Sequence, residues 1–255
     1  MTSNDHAAPL HREPSPKTRQ EADDDALIKA VRARAWDPGL RFDRADVPVA
    51  WIIERCGKPR LERIRGDIVS YGSDGTVELK AETEEVRDYY ADAARGPLFP
   101  PISLSDVEKA EDRIGRRLPE LLRRLYTEVA NGGFGPDGGL ACLTDGNRAP
   151  GHVRDWPCAA SVHERNRSEG MPPSWLLLAY GGCTMEWHVS LSAVDNPVLL
   201  YDADGCPFGE DPHDGLRHAT ASLRKWLWTW ADGGDVWDET DGVAPAGSGP
   251  IPAGN

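Results

Sequence analysis

The segment Ile102–Gly139, ISLSDVEKAEDRIGRRLPELLRRLYTEVANGGFGPDGG, constrains the fold of this chain more than any other part of it. Ser105 followed by Glu108 has the pattern of a helix start in which a hydroxyl and a carboxylate cap each other's backbone N–H. Val107, Ala110 and Ile114 then recur at helical spacing. Gly115 suits the end of that helix, because glycine takes the left-handed conformation at little cost. Pro119 fits the first turn of a second helix, where its missing N–H is not needed. Leu118, Leu121, Leu122, Leu125, Tyr126 and Val129 form one continuous apolar face, and Asn131-Gly132-Gly133 ends it. The segment predicts a helix pair that must bury its stripe against something else.

The rest of the 255-residue chain supplies that partner surface. Residues 1–20 are polar, lack an apolar central region and read as a disordered tail with no signal peptide. Residues 21–96 read as a small α+β extension. Within it, Asp23–Trp36 has helical periodicity, Val47–Cys56 is apolar but of ambiguous type, and Arg63–Ser70 and Thr76–Lys80 flank a hairpin turn. Ala81–Ala94 is expected to be helical through Val86, Tyr89 and Tyr90. Pro97, Pro100 and Pro101 punctuate the chain and open a second unit, residues 97–240. After the helix pair come a short strand over Gly138–Leu143, a helix from Asp155 or Ser161 to Arg167, and strands at Trp175–Tyr180, Thr184–Leu191 and Pro197–Asp202. A final helix is expected over Ala219–Ala231, and the Gly/Pro/Ala-rich residues 241–255 read as a second disordered tail. Helices at both ends of consecutive strands indicate an α+β fold with a mainly antiparallel sheet.

Composition narrows the function classes. Mean hydropathy is −0.53, and the longest strictly apolar stretch, Trp175–Tyr180, is far short of the ~20 residues of a membrane span. Five dispersed cysteines with no paired motif suit a reducing compartment, so a cytoplasmic location is expected. The net charge is −13, and acids outnumber bases most heavily between Asp195 and Asp241. Such a surface repels nucleic acid, which needs Lys and Arg to neutralise its phosphates, and steers cationic partners toward it.

The order of these signals resembles the SUKH superfamily, which includes fungal cell-wall-synthesis regulators and bacterial immunity proteins that neutralise secreted toxins. The resemblance covers roughly residues 100–234 and rests on particular residues. Glu111 stands where the family usually has an acid. Ile114-Gly115 and Leu118-Pro119 match the helix junction, and Tyr126 lies on the following apolar face. Asn131-Gly132-Gly133 matches the turn after the second helix, and Gly181-Gly182 the glycine turn after the central strand. Pro197–Tyr201 is similar to the next hairpin strand, and Trp226, Leu227 and Trp230 to the closing helix. The resemblance implies a binding fold without catalytic residues or cofactor. It implies an immunity protein whose partner is a toxin domain, a basic nuclease being the best electrostatic match. The alternative is a regulatory or scaffold protein that binds an endogenous partner.

The glycines of Gly132–Gly139 lack the Lys-Ser/Thr ending of a phosphate loop and follow a helix, so they read as a turn. Asp202-Ala-Asp204-Gly205 starts like a calcium loop but continues with Cys206 and Pro207 where a ligand and a glycine are required. His152, Cys158, His163, Cys183 and His188 fit no compact zinc spacing, and no metal is expected. Trp187, Trp226 and Trp230 fall on core-facing positions. Trp228 and Trp237 fall off them and join Asp202, Asp204, Glu210, Asp211 and Asp214 as expected partner-binding residues, since tryptophan anchors interfaces and charged loops carry binding groups.

Overall fold

The computed structural model describes residues 16–72, 74–80, 82–91, 99–144, 158–182, 184–202, 204 and 215–240. These residues form an α+β protein with two antiparallel sheets and two hydrophobic cores. The tail residues 1–15 and 241–255 lie outside the described residues, as do the acids Glu210, Asp211 and Asp214.

The smaller core belongs to the N-terminal part. Strand β1 (Arg44–Pro48) runs directly into helix α2 (Val49–Cys56), which resolves the ambiguous Val47–Cys56 segment into the end of a strand and a helix. Helix α3 (Lys58–Arg63) and a 3-10 turn (Ile64–Asp67) lead to β2 (Ile68–Tyr71) and β3 (Thr76–Lys80), and α4 spans Glu84–Tyr90. The sheet order is β1-β3-β2, with Val47 opposite Val77 and Ala45 opposite Leu79. The expected β2–β3 hairpin is present, but its first strand starts at Ile68 because Arg63–Asp67 is helical; its turn is held by Asp74, whose Oδ1 accepts from the Thr76 N–H and Oγ1. Val47, Ile52, Ile64, Val77, Leu79 and Val86 fill this core. Arg60 pairs with Glu85, which is almost fully buried, across α3 and α4.

The larger core gathers everything else, including the first helix. Helix α1 (Pro16–Ala35) begins inside the stretch that reads as a disordered tail. Its Leu27, Ile28, Val31 and Ala35 are buried in the larger core, not in the small one beside it in sequence. Arg224 binds Asp24 and Arg124 binds Asp25 at 2.7 Å, fixing α1 against the helices that those arginines occupy. These are α8 (Leu223–Ala231) and α6 (Glu120–Arg124), which continues as a π-helical turn over Leu125–Val129.

The helix pair forms, with one correction at its start. Helix α5 spans Leu104–Ile114, and its cap is Ser103, whose Oγ accepts from the Asp106 N–H at 3.2 Å. The Ser105–Glu108 pattern is one of two overlapping cap signals, and the one two residues earlier leaves Val107, Ala110 and Ile114 facing the core. Gly115 ends the helix with φ 75°. Glu111 then organises the junction: it accepts from the Leu118 N–H at 2.8 Å and from Arg123 Nη1 at 3.2 Å. The acid thus satisfies an N–H at the start of the second helix. The whole Leu118–Val129 stripe is buried, and the Tyr126 hydroxyl donates to the Ala141 carbonyl at 3.1 Å. Asn131 is fully buried, and its Oδ1 accepts from the Leu143 N–H at 2.8 Å. Gly132 follows with φ 88°, where a Cβ would sit 2.5 Å from the Leu140 carbonyl oxygen, so no other residue fits.

Helix α7 (Ala159–Ser168) is tied to α5 by Arg113 and Glu164 at 3.0 Å. The four-stranded sheet follows as a meander, β4 (Trp175–Gly182), β5 (Met185–Ser190), β6 (Val198–Asp202) and β7 (Leu216–Thr220), in sequence order. Two differences from the sequence reading concern strands. Gly138–Leu143 makes only isolated bridges, among them Leu140 to Ala179. Ala219 and Thr220 belong to β7 instead of opening the last helix, which starts after Ser222, whose Oγ caps the Lys225 N–H. The β-branched Thr220 and the cap preference of Ser222 explain the later start. β5 is a central strand, and both of its faces are covered: His188 and Ser190 are as buried as Trp187 and Val189. None of the described helices is long and apolar enough to cross a membrane.

Among the described residues, the Leu143 N–H donates to the Asn131 side chain alone. An Asn131→Ala variant is expected to lose about 1–3 kcal/mol of stability by leaving that donor unmet. Urea unfolding followed by circular dichroism checks this.

Candidate functional site

A polar centre lies at the seam between the two cores, where the Asp137 turn meets residues from both. It starts from the turn Pro136–Gly139, closed by the Gly139 N–H on the Pro136 carbonyl at 2.8 Å. Asp137 sits in that turn with φ 51°, a left-handed conformation that costs a non-glycine residue energy and needs local compensation. The compensation comes from two tryptophans distant in sequence. Trp187 Nε1 donates to Asp137 Oδ2 at 2.8 Å, and Trp237 Nε1 donates to Oδ1 at 3.0 Å. The two indoles meet edge to face with centroids 4.7 Å apart. Gly181 makes room for them: a Cβ there would stand 3.1 Å from Trp237 and 3.2 Å from Trp187 Nε1. Gly181 lies in β4, whose pairing continues to Gly182 opposite Met185.

The N-terminal part reaches the same place. The Gly135 N–H donates to the Arg41 carbonyl at 2.7 Å, and Phe42 bridges to Gly135. Asp43 follows, its side chain mostly buried and 3.7 Å from Arg34. Burial pushes the Asp43 carboxyl up to about 7, reinforced by Asp137 and Asp235 and opposed by Arg34 and the Asp137 N–H. Burial also raises the Asp137 carboxyl, while the two indole donors and Arg44 oppose the shift. Asp235 accepts from the Trp237 N–H at 2.9 Å. A cavity of about 310 Å³ opens here, and Arg34, Asp43, Asp137, Asp235 and Trp237 are among the residues that line it.

The residues singled out from the sequence fall in several places. Trp237 belongs to this centre and is half-buried, as is Trp228, which packs on the larger core. Trp226 and Trp230 are buried as expected, with Leu227 between them. Asp202 and Asp204 lie at the end of β6, remote in sequence from the turn; Asp202 Oδ1 accepts from Thr184 Oγ1 at 3.3 Å and from the Asp204 N–H at 3.1 Å. Asp204 is exposed. His152 and Cys183 lie outside the described residues. Cys158 donates to the Leu143 carbonyl, His163 meets the Pro173 carbonyl at 3.2 Å, and His188 pairs with Glu186 at 2.9 Å. Among the described residues, no group of three or more His, Cys, Asp or Glu is arranged to hold a metal ion.

Arg34, Asp43, Asp137 and Asp235 are not prominent in the sequence. The Pro-Asp-Gly-Gly signal marks a turn, which is present, but nothing local shows that its aspartate meets indoles 50 and 100 positions away. In comparisons with known proteins, no family model and no curated protein matches the chain.

Asp43 provides a pH signature. Its folded value of about 7 lies above the 3.8 of a free side chain, so the folded state binds the extra proton. Stability contributed this way is present below about pH 4 and is lost as pH rises toward and through 7. Asp43→Asn is expected to be more stable than the natural chain at pH 8, by up to about 4 kcal/mol, and equal to it at pH 4. Denaturant midpoints measured at both pH values check the sign.

Proposed function

We propose that this chain is a protein-binding immunity protein that neutralises a basic toxin domain in the cytoplasm without catalysis of its own. What supports the reading is the use to which the resembling residues are put. Glu111, Ile114, Gly115, Leu118, Pro119, Tyr126, Asn131, Gly132, Gly133, Gly181, Trp226 and Trp230 build junctions, turns and core. They leave the outer surface free to carry specificity, and that surface belongs to a chain of net charge −13. A rigid acidic scaffold attracts a cationic partner at long range and occludes it on contact, its carboxylates standing in for substrate phosphates.

The sheet end at Asp202 and Asp204 is the proposed contact region, continuing into the acids Glu210, Asp211 and Asp214. Asp204 is the cleaner probe, since Asp202 also holds Thr184 and the Asp204 N–H in place. The full-length chain is used to capture partners from its source cell, identified by mass spectrometry. A stoichiometric, salt-sensitive complex with a basic toxin-like domain is expected. Capture of envelope-synthesis or other housekeeping proteins would favour the regulatory reading. Against a captured toxin domain, Asp204→Lys is expected to slow association about tenfold at low salt and to flatten its salt dependence. Unchanged stopped-flow kinetics would remove this region from the interface.

A further inference from the structure

The cavity at the seam holds a hydrogen-bonding demand that the contacts around it leave unmet. The Arg34 side chain is only 9% exposed. Its Nε is buried and has no hydrogen-bond partner among the described residues. The nearest carboxylates, Asp43 and Glu82, stand 3.7 and 3.9 Å from Nη2, beyond direct hydrogen bonding. The guanidinium is held over the Trp230 ring, 5.2 Å from its centroid. A guanidinium carries five N–H donors in a fixed fork, and donors left without acceptors inside a protein are costly. A hydroxyl that accepts from an Arg34 Nη and donates toward Asp43 or Glu82 would bridge groups that stand too far apart to bond directly.

The lining decides what kind of molecule brings that oxygen. Arg34, Arg44 and Lys80 supply positive charge; Asp43, Glu82, Asp137 and Asp235 supply negative charge. An anion would meet four carboxylates and a cation three bases. A neutral molecule whose groups both donate and accept meets neither penalty, and hydroxyls do both. Trp237 forms an aromatic wall. Gly233 also lines the cavity, and a Cβ there would come within 3.0 Å of Glu82 Oε1 and 3.2 Å of Arg34 Nη1. The volume of about 310 Å³ lies at the small end of ligand sites, enough for one ring.

We propose that this cavity binds one ring of a neutral sugar. Arg34 donates to its hydroxyls, Glu82 and Asp235 accept from them, and Trp237 packs against its C–H face. The inference goes beyond the protein-binding reading and does not rest on it.

The test is isothermal titration of the full-length chain with glucose, galactose, mannose, N-acetylglucosamine and ribose, with glycine and sulfate as zwitterionic and anionic comparisons. Saturable binding of at least one sugar is expected, with a Kd of about 1 mM or tighter. Glu82→Gln changes a side chain that is 55% exposed, so its circular dichroism spectrum is expected to match that of the natural chain. It is expected to weaken that sugar about tenfold, the loss of one charge-assisted hydrogen bond. Arg34→Lys should weaken it further, since a single ammonium cannot replace the fork. No saturable sugar binding up to ~20 mM, on the millimolar scale of weak single-site affinity, would overturn the proposal. So would preference for glycine or sulfate, or affinity unchanged in Glu82→Gln.

Discussion

The Asp137 carboxylate accepts hydrogen bonds from two indoles that approach it from different parts of the fold, and the seam between the two cores depends on that arrangement. One indole comes from the central strand of the larger sheet, the other from the segment after the last helix. The turn that carries Asp137 also receives the chain entering the small sheet, through Gly135 and Arg41. Hydrogen bonds to a charged group are worth about 1.5–3 kcal/mol each, enough to offset the left-handed backbone at Asp137. Gly181 suits this packing, because a Cβ there would stand 3.1–3.2 Å from both rings and one of them would have to give way by a few tenths of an ångström. Placing carboxylates in this partly dry seam has a consequence, since Asp43 and Asp137 hold their protons more tightly than free aspartates.

Helix α1 shows how packing overrides proximity in sequence. Its neighbours along the chain build a small sheet with its own core, yet Leu27, Ile28, Val31 and Ala35 are buried among α8 and the π-helical turn. The ion pairs of Asp24 and Asp25 with Arg224 and Arg124 set its orientation. The same helix delivers Arg34 to the cavity, where it contacts Asp43 and Glu82 only at long range. α1 therefore links the larger core to the polar seam.

Much of the fold was legible because its signals are local. The Leu118–Val129 stripe, the glycine at position 115 and the hairpin around Asp74 each act within a few residues, and each takes the expected form. Errors arose where two local signals compete. Ser103 and Ser105 both precede an acid three positions on, and burial of Val107 and Ile114 selects the first. Ala219 and Thr220 continue the last helix's apolar pattern, but sheet pairing to β6 claims them. The alternation of Trp187 and His188 suggests a half-exposed strand, whereas a central position covers both faces. The polar seam was not legible, because Asp137, Trp187, Trp237, Asp43 and Arg34 meet only through tertiary folding. Trp237 lies off the helix stripe, and nothing local to it reveals its partner.

Two of the nine tryptophan indole N–H signals in a nitrogen–proton correlation spectrum test the account most directly. Trp187→Phe and Trp237→Phe identify them. Both signals should exchange slowly with water, move together as the Asp137 carboxyl titrates, and shift together in Asp137→Asn. If the Trp237 signal exchanges at the rate of a free indole, or if the two respond independently to Asp137→Asn, the shared carboxylate does not hold the seam.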